Sequence, residues 1–136
     1  EEVKSFITHP SPGHVMNGPG YYEISGLAYS GEGCIKRVMV SADGGQSWAQ
    51  AELQKPVQDK AFTRFRLPWR WDGGPAILQS RAWDDAGNVQ PTRAEFVAHR
   101  GELKAPLPPT AFPNQHFNGV TSWGIASNGE VSHVYA

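Results

Sequence analysis

This sequence predicts an all-β, immunoglobulin-like (E-set) sandwich of mostly antiparallel strands, and three observations predict it. Apolar and polar residues alternate at period two in segment after segment, most clearly over 62–71, where Phe65, Leu67, Trp69 and Trp71 alternate with Arg64, Arg66 and Arg70. Turn signals separate these segments at intervals of about ten residues. The 15 glycines and 11 prolines among 136 residues suit short strands joined by many turns, and no amphipathic helix of useful length interrupts them.

Taken in order, residues 3–8 form a short strand that His9-Pro10-Ser11-Pro12-Gly13 ends, and the two prolines favour a sheet edge. Asn17-Gly18-Pro19-Gly20 turns the chain into a strand over 21–30, with Tyr22, Ile24, Gly26 and Ala28 on one face. The small Gly26 and Ala28 suggest a close sheet-to-sheet approach. Residues 33–48 form the organising hairpin. Val38, Val40 and Ala42 share the inner face, with Lys36 at its solvent end, and Arg37, Met39 and Ser41 take the outer one. Asp43-Gly44-Gly45 supplies positive-φ positions for a tight turn, and 48–53 return as a strand with Trp48 as a core residue. Residues 55–60 are a polar connection. In the strand that follows, Pro68 sits on the arginine side, which suits an edge or a bulge.

Asp72-Gly73-Gly74-Pro75 turns again. A strand over 76–83 then sets Leu78, Ser80 and Ala82 opposite Ile77, Gln79, Arg81 and Trp83. Asp84 to Asn88 form a loop, and 95–99 suit either strand or one helical turn. Residues 103–114 hold four prolines and read as an arm without regular structure. A hairpin over 119–135, turning at Ser127-Asn128-Gly129, closes a single domain spanning 1–136.

Composition narrows the function. A net charge of −1 offers no broad field to nucleic acid or an anionic membrane. No apolar run approaches the roughly 18 residues of a membrane span. The opening Glu1-Glu2 is neither an initiator nor signal-like, so an excised domain or mature fragment with something upstream is expected. The single cysteine, Cys34, excludes an internal disulfide, and with no histidine nearby in sequence it reads as a small strand hydrophobe rather than a nucleophile.

Four features could carry chemistry. His9 and His14 bracket a proline turn, but a metal site needs a third ligand, and His99, His116 and His133 are scattered, so no metal is expected. Asp84 and Asp85 could be an acid–base pair, although adjacent strand residues point apart and such loops more often make Asx-turns. The Arg64, Arg66 and Arg70 face is either a solvated edge or a docking surface for an acidic partner or another domain. Trp69, Trp71, Trp83 and Met39 exceed what one small core can hide, and such residues are enriched at interfaces. Met39, Arg64, Arg66, Arg70 and Trp83 are therefore the interface candidates. No nucleophile elbow, phosphate loop or dinucleotide fingerprint is present, and no catalytic residue is assigned.

Several stretches resemble a known family. Arg81-Ala82-Trp83-Asp84-Asp85-Ala86-Gly87-Asn88-Val89-Gln90-Pro91 resembles the R-A-x-D-x-x-G-N-x-Q-P signature of sulfite oxidase C-terminal domains. Val38-Met39-Val40-Ser41-Ala42-Asp43-Gly44-Gly45-Gln46-Ser47-Trp48 resembles their V-x-V-S-x-D-G-G-x-x-W, and Gly26 to Gly31 their G-x-A-x-S-G. Leu67 to Gly73 and Phe117 to Trp123 look most like the SoxC-type sulfite or sulfane dehydrogenase branch. Together these stretches cover most of the chain, in order.

The resemblance implies a dimerisation domain of the molybdopterin oxidoreductases. It implies a second copy as partner, and a separate upstream domain holding molybdenum-molybdopterin through a cysteine that Cys34 does not match. It also implies a periplasmic parent that oxidises sulfite or protein-bound sulfur and passes electrons to a cytochrome c. In that family an arginine from this domain reaches the anion pocket just before a Gly-Val. Here the matching position is Asn118, before Gly119-Val120, which suits a substrate other than free sulfite, such as sulfur carried on a partner protein. The rival readings are a secreted carbohydrate-binding or adhesion sandwich with exposed tryptophan rows, and a small hydrolase using Asp84 with a histidine.

Overall fold

The computed structural model describes residues 3–58, 61–91 and 120–134. Among them nine strands run in chain order: β1 (Lys4–His9), β2 (Gly20–Tyr29), β3 (Ile35–Ser41), β4 (Ala49–Gln50), β5 (Glu52–Leu53), β6 (Thr63–Trp71), β7 (Ala76–Asp84), β8 (Ser122–Ile125) and β9 (Val131–Val134). They form a four-stranded sheet, ordered β1-β2-β6-β5, and a five-stranded sheet, ordered β4-β3-β7-β8-β9. The strand pairings are antiparallel. The chain crosses between sheets from β2 to β3 and from β6 to β7, as in an immunoglobulin-like sandwich.

Alternation decides which side chains meet between the sheets. Ile24, Ala28, Phe65 and Trp71 from one sheet and Val38, Val40, Leu78 and Ala82 from the other are each at most 2% exposed. Tyr22, Leu67, Trp69 and Trp123 pack against this core while remaining partly exposed. Gly26 makes a close approach, but within its own sheet rather than between sheets. It pairs with Phe65 across β2 and β6. A Cβ there would run into the Phe65 ring and the Phe6 carbonyl oxygen.

The organising hairpin is present with four corrections. First, Val40 pairs with Ala49, so the connection is a long loop rather than a tight turn. Asp43 builds that loop: its Oδ1 accepts the Ser41 hydroxyl at 2.7 Å and the Ser47 amide at 2.9 Å. Gly44 and Gly45 do take positive φ, 74° and 94°. Second, Trp48 is only half-buried and lies outside the core, because its indole N–H is drawn to the Gly45 carbonyl at 3.1 Å. The fully buried tryptophan is Trp71. Third, the returning strand is split. Ala49–Gln50 pair with β3, the Ala51 amide still bonds the Val38 carbonyl at 2.9 Å, and Glu52–Leu53 then join β6 in the other sheet. Fourth, a register shift between Ile35 and Arg37 leaves Lys36 exposed and turns Ile35 inward, to 3% exposure.

β1 is an edge strand, as its prolines imply. Pro68 lies beyond the end of β5, which pairs only with Phe65 and Arg66, so its missing N–H leaves no ladder bond unmade on that side. The closing hairpin is β8 and β9. The segment 95–99, the proline-rich arm over 103–114, His99, His116, Asn118 and Gly119 lie outside the described residues.

Candidate functional site

The stretch from Arg81 to Pro91 draws attention first, because its carboxylates could do acid–base work. Its polar groups instead bond one another. Each oxygen of Asp84 is doubly engaged. Oδ1 accepts the amides of Ala86 and Asn88 at 3.1 and 2.8 Å. Oδ2 accepts the Ser30 hydroxyl at 2.6 Å and the Asn88 side-chain amide at 3.0 Å. Burial pushes this carboxyl up, but the Ser30 and Asn88 bonds outweigh burial and hold it below the usual aspartate range. A general acid needs the opposite shift. Asp85 turns away, its Oδ1 accepting the Cys34 amide at 3.0 Å. The adjacent aspartates are two separate loop ties, not a catalytic pair.

Gln90 completes the arrangement from inside the sandwich, where it is 1% exposed. Its Oε1 accepts the Ser5 hydroxyl at 2.6 Å and the Ala82 amide at 3.2 Å, and its Nε2 donates to the Ser5 carbonyl at 3.2 Å. The Ser5 and Ser80 hydroxyls meet at 2.9 Å. This satisfied network ties β1 to β7 across the two sheets. Sequence reasoning missed it, since nothing local to Gln90 indicates a serine 85 positions away.

The histidines do not assemble. The His9 and His14 rings lie 5.3 Å apart, and the His14 Nδ1 accepts the Ser11 amide at 3.1 Å. That bond puts the proton of a neutral His14 ring on Nε2 and removes its ready lone pair. His133 packs edge-on against Trp123 instead. Among the described residues no three His, Cys, Asp or Glu side chains come together as a metal site.

The interface candidates are sorted by strand onto two opposite outer faces. Arg64, Arg66 and Arg70 project from β6 on the four-stranded sheet. There the Arg66 Nε donates to the Glu52 Oε1 at 2.7 Å, with both side chains about 60% exposed (59% and 66%). That carboxylate raises the Arg66 pKa, with Glu23 adding to the effect. Arg70 lies over Tyr21, which is 81% exposed. Arg64 sits opposite Leu27 near an apolar group in which the Tyr29 and Phe62 rings are 5.2 Å apart and Phe62 is 57% exposed.

Met39 and Trp83 belong to the other face, on β3 and β7. Arg37 sits directly across from Trp83 in the register, with its guanidinium 4.5 Å from the ring centroid. Arg81 approaches the same ring at 5.6 Å, with its Nε committed to the Gln90 carbonyl at 2.6 Å. Met39 lies across from Arg81. Arg37 was readable as outward-facing, but its pairing with Trp83 was not, because 46 residues separate them in sequence.

Comparison with known proteins identifies the scaffold. The Mo-co oxidoreductase dimerisation domain family matches residues 1–106. Human mitochondrial sulfite oxidase is 38% identical over 109 residues, covering 74% of this chain and 20% of that protein. The barley (Hordeum vulgare) NAD(P)H nitrate reductase is 30% identical over 105 residues, 67% of this chain and 12% of that protein. The crystal structure of the sulfane dehydrogenase SoxCD from Paracoccus pantotrophus superimposes with a TM-score of 0.81 at 42% identity, covering 99% of this chain and 33% of that one. The chain thus spans a fifth or less of the length of these curated relatives.

Proposed function

The chain belongs to the Mo-co oxidoreductase dimerisation domain family, and from that premise we propose that it is the non-catalytic, self-associating domain of a periplasmic molybdenum-dependent sulfite or sulfane dehydrogenase. The observation that carries this reading is the likeness to SoxCD over nearly the whole chain at 42% identity. A molybdopterin-bearing domain upstream would hold the metal and do the chemistry, with a cytochrome c accepting the electrons. Asn118 and Gly119 would edge the substrate pocket, where a neutral amide holds a small dianion less firmly than a guanidinium does. That favours sulfur presented on a carrier.

The second copy fits the outer face of the four-stranded sheet. A two-fold interface sets a patch against itself, so it needs both charge signs or neither. This face has both: Glu23 and Glu52 lie among Arg64, Arg66 and Arg70, beside the apolar group of Leu27, Tyr29 and Phe62. Metal analysis and a sulfite-oxidation assay on the full-length protein test the parent reading. Stoichiometric molybdenum with sulfite- or sulfane-dependent cytochrome reduction is expected. A protein that carries no molybdenum and oxidises neither substrate contradicts it. In the active protein, Asn118→Arg is expected to improve free-sulfite affinity and impair turnover of a carrier-bound substrate. Equal weakening of both, or no change in either, removes residue 118 as a selector.

A further inference from the structure

The outer face of the five-stranded sheet differs chemically from the face assigned to the second copy. Near one end of that face two guanidiniums, Arg37 and Arg81, are drawn to one indole, Trp83. Cation–π attraction explains why they are there. It does not neutralise them, and two like charges held against one ring repel each other. Arg37 is exposed, and among the described residues no carboxylate pairs with it. Its sequence neighbour Lys36 is exposed as well, pushed out by the bulge.

The described carboxylates at this end of the sheet are occupied elsewhere. Asp84 is buried within its own loop, Asp85 holds the Cys34 amide, and Glu32 accepts the Asn88 side-chain amide at 3.1 Å. Beside the arginines the face turns apolar. Met39 and Ile77 are half-buried, and Val89, bridged to Trp83, is 41% exposed.

We propose that the Arg37–Trp83–Arg81 surface docks an acidic segment of a partner protein. A carboxylate would take the Arg37 fork in charge-assisted, bidentate bonds and relieve the repulsion between the guanidiniums. Apolar side chains next to it would cover Met39 and Val89. A second copy of this face would bring four guanidiniums together, which is why the occupant is an acidic partner. This assignment rests on the geometry of the face and not on the parent's activity, so it can fail while the family reading stands, and the reverse.

The test uses the full chain and a fluorescein-labelled peptide of alternating glutamate and leucine, with binding followed by anisotropy at low and high salt. Binding that weakens with salt is expected. Arg37→Glu is expected to weaken it about tenfold or more, and Arg37→Gln by less in the same direction. Lys55→Glu makes the same charge change at an exposed position elsewhere and is expected to stay within about twofold of the parent. Equal binding by parent and Arg37→Glu overturns the proposal. So does an equal loss in Lys55→Glu, a failure of the peptide to bind at low salt, or capture by phosphatidylserine vesicles but not by the peptide. Thermal melts of the variants that match the parent's are expected, since Arg37 is exposed.

Discussion

The two sheets present arginines to solvent in opposite ways. On the four-stranded sheet Arg66 faces Glu52 at 2.7 Å, and acids and bases are interspersed. On the five-stranded sheet Arg37 and Arg81 face an indole, and among the described residues no carboxylate answers Arg37. The same residue type is neutralised at Arg66 and, among the described residues, left without a carboxylate at Arg37. The difference comes from what lies across the strand: Glu52 opposite Arg66, Trp83 opposite Arg37. A count of charges along a strand therefore says little about which of them can bind anything.

The largest expected effect separates inner from outer aromatics. Trp71→Ala is expected to cost about 3–5 kcal/mol, as for a fully buried aromatic, and Trp83→Ala about 1 kcal/mol. Urea unfolding of both measures this. Equal costs would mean that Trp83 is a core residue and the outer face is not free to bind.

Next is the loop that anchors the end of β7, on which Arg81 and Trp83 sit. Asp84→Ala is expected to cost about 3 kcal/mol, because it strands the Ser30 hydroxyl and the loop amides. The sign with pH follows from the lowered Asp84 pKa. The unfolded chain takes up the proton first, so this stabilisation is complete above the ordinary value of 3.8 and is lost as pH falls through the lowered folded value. Unfolding curves of the parent and Asp84→Ala are expected to converge across that acid range. A constant gap would mean that the loop does not depend on the charged carboxylate.

The smallest effect is at the neutralised pair. Arg66→Ala is expected to leave stability nearly unchanged, since an exposed ion pair is screened and entropically costly. A loss as large as that of Asp84→Ala in the same urea measurement would show that the pair organises the sheet.

Much of the fold was legible. Period-two alternation put Val38 on an inner face, grouped Ile24 with Ala28, and set Phe65 and Trp71 against the arginines of their strand and Leu78 against Trp83, and glycine and proline marked most turns. Alternation fails where the backbone departs from a regular strand. The bulge at Lys36 reversed the sense of Ile35, and the crossing at Ala51 divided one apparent strand between two sheets. Trp48 looked like core because it is large and next to a turn, yet its indole N–H is tied to that turn. Asp84 and Asp85 read more readily as loop formers than as an acid–base pair, but their partners Ser30 and Cys34, more than 50 residues away, were not legible. The interface candidates formed one group in sequence and two in space, since only the sheet order separates β6 from β3 and β7.

The central claim is that one outer face serves the second copy and the other does not. Sedimentation velocity of the chain, of Phe62→Glu and of Arg37→Glu over a range of concentrations tests it directly. Phe62 and Arg37 are both exposed, so each variant is expected to fold. The account predicts a parent dimer that Phe62→Glu shifts to monomer by about tenfold or more in dissociation constant, with Arg37→Glu within about twofold of the parent. Dissociation by Arg37→Glu with Phe62→Glu unchanged would contradict it.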